Sequence, residues 1–287
     1  MIWVDTIVQG LLLGALYALF ATGLSLVFGV MRLVNLAHGD LIVLAAYLIL
    51  TTATLLDLHP FTAVLISAPL MFVLGWLLQT HVLNRVLGED ILPPLLVTFG
   101  LSVVIQNVLL EGFSADSRKL NIGALESASV SLGPVTVGVM PLMTLVTAVV
   151  LIFALNQLFY RTALGRAFRA TSDDAVTAGL MGIRPQNVFA IATGIAMVVV
   201  TIAALFLGTR STFDPGIGPA RLLYAFEAVI IGGLGSLWGT LAGGMVIGVA
   251  QALGAKVNPE WQILASHLAF VIILLLWPRG LFPRAND

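Results

Sequence analysis

The chain has 287 residues, of which 59% are hydrophobic and only 9% charged, and its mean hydropathy is +1.06. A soluble domain carries roughly 25% charged residues, so the composition excludes an ordinary water-soluble fold. The 13 basic and 14 acidic residues leave a net charge of −1, which argues against a nucleic-acid partner, and the absence of cysteine excludes disulfides, thiol nucleophiles and thiolate metal sites.

A membrane-spanning helix needs about 20 mostly apolar residues. Windows of this kind run over about 7–29, 40–57, 61–83, 92–111, 141–160, 188–208, 224–252 and 262–278. They predict an all-α polytopic bundle of about eight membrane segments, in one transmembrane domain covering 1–287. The first window follows Asp5 with no Lys or Arg before it, so a retained first helix is expected rather than a signal peptide. The short alternating segments of an outer-membrane barrel are absent.

The stretch GLSLVFGVMRLVNLAHGD over 23–40 brings Arg32, Asn35, His38 and Asp40 together where two windows meet. If it is helical, the first three form a polar stripe able to line a solute path. The alternative is an ordinary loop that ends on an N-cap at Asn35 or Asp40. A polar stretch over 112–140 follows the fourth window and contains Gly133 and Pro134.

The segment 161–187 carries Arg161, Arg166, Arg169 and Arg184. Cytoplasmic loops are enriched in Lys and Arg, so this segment is expected inside, which puts the N-terminus outside. Its end reads as a short helix, with Ser172 as N-cap, Asp173 and Asp174 at the positive end of the dipole and Gly182 as the stop. At about two and a half turns such a helix is unstable alone and needs a partner or the bundle to dock on; a plain solvated loop is the alternative.

Within the seventh window Glu227 precedes Gly232, Gly233, Gly235, Ser236 and Gly239. An intramembrane carboxylate points to function, and the glycines indicate either a broken or re-entrant helix or close packing. A doubled crossing there would bring the tail, with Arg279 and Arg284, inside, where the positive-inside rule favours it; simple alternation leaves it outside. A phosphate-binding loop is excluded, because the only lysines are Lys119 and Lys256. His38, His59, His81 and His267 are scattered and no metal-ligand spacing occurs, so neither an enzyme nor a metal site is expected. On polarity alone, Asn35, His38, Asp40, Glu227 and Ser236 are the candidates to line a translocation path.

These motifs together resemble the LivH-type permeases of branched-chain amino-acid ABC transporters. The family pattern near the start matches 23–39, the LGRAFRA run matches 164–170, and the match continues through Gly182, Ile183, Phe213, Asp214, Pro215 and 225–236. Asp40 stands where Glu is frequent, and the tail from Pro278 to Pro283 is similar to a common family ending without matching it. The resemblance implies a multi-pass protein of the bacterial inner (plasma) membrane, importing branched-chain or related small polar amino acids. It implies a second, LivM-type permease, two ATPase subunits that use ATP and Mg, and a periplasmic or extracellular solute-binding protein, with no cofactor on this chain. It further makes 161–187 the ATPase-coupling segment, with Gly165, Arg166, Arg169, Asp173, Asp174 and Gly182. Two other classes compete: an ion-coupled secondary transporter using Glu227 or Asp40, and a passive channel.

Overall fold

The computed structural model describes residues 2–88, 90–132 and 135–282; Gly133 and Pro134 of the polar stretch and Pro283 and Arg284 of the tail lie outside them. The helices are α1 (Ile2–Met31), α2 (His38–Leu55), α3 (Pro60–His81), α4 (Leu92–Phe113), α5 (Val139–Arg161), α6 (Ala163–Asp173), α7 (Ala175–Leu180), α8 (Pro185–Arg210), α9 (Gly218–Gly232), α10 (Leu237–Val257) and α11 (Trp261–Leu276). Among the described residues, α1 to α5, α8 and α10 are long and apolar enough to cross a membrane, and α11 is a shorter apolar helix. The polytopic helical bundle expected from the apolar windows is therefore present. The window over 224–252 is broken, as its glycines suggested, into α9 and α10.

In hydrocarbon, apolar side chains gain nothing by leaving lipid for protein, so helices associate through close van der Waals contact between small residues. The antiparallel pair α1 and α10 shows this directly. A Cβ at Gly14 would stand 2.5 Å from the Gly244 carbonyl oxygen, and one at Gly244 would stand 2.7 Å from that of Gly14. A side chain at Gly248 would collide with the Gly10 carbonyl one turn on. Together with α8, this pair is largely buried inside the bundle, whereas α3, α4 and α11 expose Leu70, Phe99, Val104, Leu268 and Leu275 to lipid.

Hydrogen bonds identify the two membrane faces. The Ser172 hydroxyl donates to the Gly29 carbonyl (2.8 Å) and the Asn84 amide to the Gln186 carbonyl (3.3 Å), so the ends of α1 and α3 share the face of the basic segment. On the opposite face the polar stretch forms a small hairpin not foreseen from its composition, with β1 (Ser129–Leu132) antiparallel to β2 (Val135–Gly138). There Gln9 donates to the Thr136 carbonyl at 3.1 Å, tying the N-terminal part of α1 to the hairpin. The tail returns to the basic face. Leu281 N–H donates to the Ile231 carbonyl (2.8 Å) and Phe282 N–H to that of Gly232 (3.1 Å), satisfying carbonyls at the end of α9. The doubled crossing has thus brought the tail to the same side as the arginines, which the positive-inside rule makes cytoplasmic.

Replacing Gly248 by Leu should lower the thermal unfolding midpoint of the solubilised protein sharply, since overpacking costs about 1–3 kcal/mol even where neighbours can yield, and here the neighbour is backbone. Gly100→Ala on α4, where a Cβ would meet nothing within 4 Å, should leave the midpoint unchanged or slightly raised.

Candidate functional site

Two helices begin inside the bundle. After α1 ends, Arg32 takes a left-handed φ of 52° and 32–37 are non-helical. The Asn35 side chain accepts from Ala37 N–H (3.0 Å) and its carbonyl from His38 N–H (3.2 Å), which turns the chain back into α2. His38 Nε2 lies 2.8 Å from the Phe20 carbonyl. A carbonyl only accepts, so the imidazole proton sits on Nε2. Phe20 lies 31 − 20 = 11 residues before the end of α1, or roughly 16 Å at 1.5 Å per residue, so α2 starts well inside the membrane. The helical stripe of Arg32, Asn35 and His38 considered from the sequence therefore does not form. The loop alternative describes the backbone, although the residue preceding α2 is Ala37 and neither Asn35 nor Asp40 is the N-cap.

Asp40, in the first turn of α2, is buried and receives the Ser102 hydroxyl at Oδ2 (2.6 Å) and the Gln106 amide at Oδ1 (3.0 Å). Leu36 N–H donates to Thr98 Oγ1 at 3.2 Å. Thr98, Ser102 and Gln106 recur every four residues, so they form one polar stripe through which α4 leans on the turn before α2. Against Asp40 lies the start of α9. A side chain on Gly39 would collide with the Gly218 carbonyl, and one on Gly218 with the Asp40 carboxylate. Beside Gln106 a cavity of about 280 Å³ opens, bordered by Asn107, Asp214 and Gly216.

A second polar group joins α9 to α11. Glu227, 3% exposed, pairs with His267 Nδ1, while its Oε2 is buried without a partner. The Tyr224 ring stacks on His267 (6.0 Å) and on Tyr17 (4.7 Å), and Tyr17 donates to Gln251 of α10 at 2.8 Å. His267 read as one scattered histidine among four because its partner lies 40 residues away.

Gly233 and Gly235, at φ of 98° and 78°, make the turn between α9 and α10. Gly232 is a packing residue whose added Cβ would strike Gly239. Ser236 caps α10 by accepting from Gly239 N–H at 3.1 Å. Asn35, His38 and Asp40 share one turn but are tied to different elements, the turn itself, α1 and α4, and Glu227 and Ser236 lie elsewhere; Ser236 borders a cavity of about 320 Å³ near the basic face that none of the other four lines.

The basic segment holds two helices. Its first half, read from the sequence as a loop, is α6, capped by Thr162, which accepts from Gly165 N–H at 3.0 Å. Gly165 lies against the carbonyls of Leu158 and Phe159, where no side chain fits. Arg169 donates to the Phe159 carbonyl and lies 5.2 Å over the Tyr160 ring, so it pins α6 to α5, while Arg166 is exposed. The cap of the short helix α7 is Asp174, whose Oδ1 accepts from Val176 N–H (2.9 Å) and Thr177 N–H (3.1 Å). This corrects the expectation of Ser172, which is engaged with Gly29; Asp173 closes α6, and Gly182 stops the chain at φ 86°. The hydrogen bond from the Thr177 hydroxyl, assisted by backbone N–H groups, holds the Asp174 carboxyl below its ordinary pKa. Val176, Leu180 and Met181 are 77%, 84% and 80% exposed. Among the described residues no three metal-ligating side chains converge.

His267→Ala leaves the buried Glu227 carboxylate unpaired and should destabilise the solubilised protein by about 3 kcal/mol. Replacing both residues by Leu should recover most of that loss, as thermal unfolding of the single and double variants would read out.

Comparison with known proteins agrees with this architecture. The family model described as "Branched-chain amino acid transport system / permease component" matches residues 6–277. The chain is 29% identical to the high-affinity branched-chain amino acid transport system permease protein BraD of Pseudomonas aeruginosa, over 98% of this chain and 96% of the relative. It is 28% identical to LivH of Salmonella typhimurium, over 96% and 94%. In fold it is similar to a chain of PsaBC from Streptococcus pneumoniae in complex with Fab, at a TM-score of 0.50 and 16% identity, covering 94% of this chain and 91% of that one. Since the family model covers nearly every described helix, the chain belongs to the family of branched-chain amino acid transport system permease components, as a multi-pass permease subunit of an ABC importer.

Proposed function

We propose that the whole chain is one permease domain which pairs with a LivM-type permease, two cytoplasmic ATPase subunits and an extracytoplasmic solute-binding protein to import branched-chain amino acids. ATP and Mg are used by the ATPase subunits, and this chain holds neither. The observation that carries the coupling role is the bare apolar face of α7. Three large side chains stand in water on the basic face, which costs free energy unless a partner covers them.

Movement of that partner has a defined route inward. α6 is fastened to the ends of α5 and α1 through Arg169 and Ser172, so a push on α6 and α7 moves both helices as rigid bodies. α1 in turn carries His38 at Phe20, and with it the paired starts of α2 and α9. The solute path runs past Asn35, His38 and Asp40 at that junction. Glu227 and Ser236 flank it by holding α9 to α11 and the turn into α10. A helix start at mid-membrane depth turns the positive end of a helix dipole toward this junction, which suits the carboxylate of an amino acid.

Uptake by the reconstituted assembly should require ATP hydrolysis and the binding protein. Uptake by this chain alone on an ion gradient would establish the secondary-transporter reading instead. Leu180→Glu with Met181→Glu should abolish co-purification of the ATPase subunits without loss of membrane insertion. Asp174→Ala should weaken the same association by fraying α7, whereas Asp174→Asn, an equally good cap, should not. Because the Asp174 pKa is depressed in the folded protein, its stabilisation is fully present above the ordinary aspartate pKa and is lost only as pH falls through the folded value. ATPase association should therefore show no pH dependence from this group near neutrality.

A further inference from the structure

The cavity of about 320 Å³ at the basic face lies between α1, α5 and the turn from α9 to α10, and its walls include Ser25, Asn156, Tyr160, Ser236 and Trp238. Ser25 is wholly buried and its hydroxyl has no hydrogen-bond partner. A serine inside a helix usually donates to the carbonyl four residues back, as Thr22, three positions earlier, does to Ala18 at 2.6 Å. Ser25 thus keeps a donor unused beside this space.

The same cavity receives the N-terminus of α10, a 21-residue helix. Ser236 satisfies Gly239 N–H, while Leu237 and Trp238, in the first turn, have no helical carbonyl behind them to accept their N–H groups. Among the described residues no carboxylate lines the space. The guanidinium of Arg169 lies over the ring of Tyr160, one of the lining residues. Donors, the positive end of a helix dipole and a nearby cation define a site for an oxyanion.

The surroundings say where the oxyanion comes from. Tyr160, Trp238 and Phe282 are exposed around the mouth, as aromatic residues are at the membrane interface. From Asn156 outward along the same face of α5, Phe153, Val150 and Val146 are all exposed. From Tyr160 to Val146 this strip is roughly 20 Å long at 1.5 Å per residue, the length of an acyl chain beginning at the mouth. We propose that the cavity holds the phosphate of a phospholipid from the cytoplasmic leaflet, with one acyl chain along α5. The phosphate accepts from Ser25, Asn156 and the first amides of α10, and so ties α1 and α5 to the turn between α9 and α10. This site lies apart from the junction of Asn35, His38 and Asp40, none of which lines it.

The test uses the complete importer, delipidated in detergent, with thermal unfolding followed as lipid is added back. Phosphatidylglycerol should raise the midpoint by several degrees. Digalactosyl diacylglycerol, which has the same tails and no phosphate, should give a small fraction of that shift. Ser25→Ala with Asn156→Ala should raise the half-effective phosphatidylglycerol concentration about five-fold or more, as expected for lost hydrogen bonds to a charged group. Asn156→Asp, nearly isosteric, should weaken binding further by setting a carboxylate against the phosphate. Native mass spectrometry should show one fewer retained phospholipid on either variant, compared at equal lipid-free stability. An equal shift with the galactolipid, or unchanged affinity in both variants, would overturn the proposal. A full shift from inorganic phosphate alone, to which lipid adds nothing, would assign the site to a soluble anion and overturn the lipid assignment.

Discussion

The backbone contact between α1 and α10, made possible by Gly10, Gly14, Gly244 and Gly248, is the constraint on which the other features rest. Lipid offers no hydrophobic reward for helix association, so two long apolar helices stay together only where their surfaces approach closely enough for dense dispersion contact. Once they do, α1 becomes a fixed rail. Its middle offers the Phe20 carbonyl to His38, and its end offers the Gly29 carbonyl to Ser172. Its partner α10 carries the turn from α9 at one end and the Gln251 contact to Tyr17 toward the other.

The peripheral helices are attached differently. α4 and α11 turn most of their apolar side chains to lipid: α4 joins the bundle through Thr98, Ser102 and Gln106 against the turn at 36–40, and α11 through His267 and Ser266 against Glu227 and Gln251, besides packing on α10 where a side chain at Gly254 would strike the Trp261 carbonyl. A polar side chain in hydrocarbon must find a partner or stay unpaired at high cost, so such points act as directional ties where apolar contact would permit sliding. The carboxyl groups of Asp40 and Glu227, candidates for a translocation path on polarity alone, are in the folded chain the polar anchors of α4 and α11. Any change in the surroundings of Asp40 is consequently felt by α4, through Ser102 and Gln106.

Non-helical backbone inside a bilayer is tolerated only where protein or a cavity shelters it. The turns at 32–37 and 233–236 satisfy this in two ways. The first is roofed by α4 and the start of α9; the second is covered by the tail, whose N–H groups of Leu281 and Phe282 meet the last carbonyls of α9. The tail is therefore a structural part of the break in the seventh window. That explains how a segment of 15 residues, too short to span, is stable as α9.

The residue order by itself determined the membrane class, the approximate positions of the spans and the segment that carries the arginines, and it marked the glycine cluster without separating a broken helix from close packing. Each depends on a local run: about 20 apolar residues, clustered glycine or clustered charge. The short helix near Gly182 was also legible, because capping residues act within one turn, although its cap is Asp174 and not Ser172, whose hydroxyl is drawn to Gly29. What the tertiary structure alone decided lies between residues far apart in the chain. Asp40 meets Ser102 after 62 residues, Ser172 meets Gly29 after 143, and Glu227 meets His267 after 40. Polarity within a hydrophobic window announces that a buried group needs a partner, but which helix supplies it depends on how the bundle closes, and that closure is set by the glycine contact of α1 with α10.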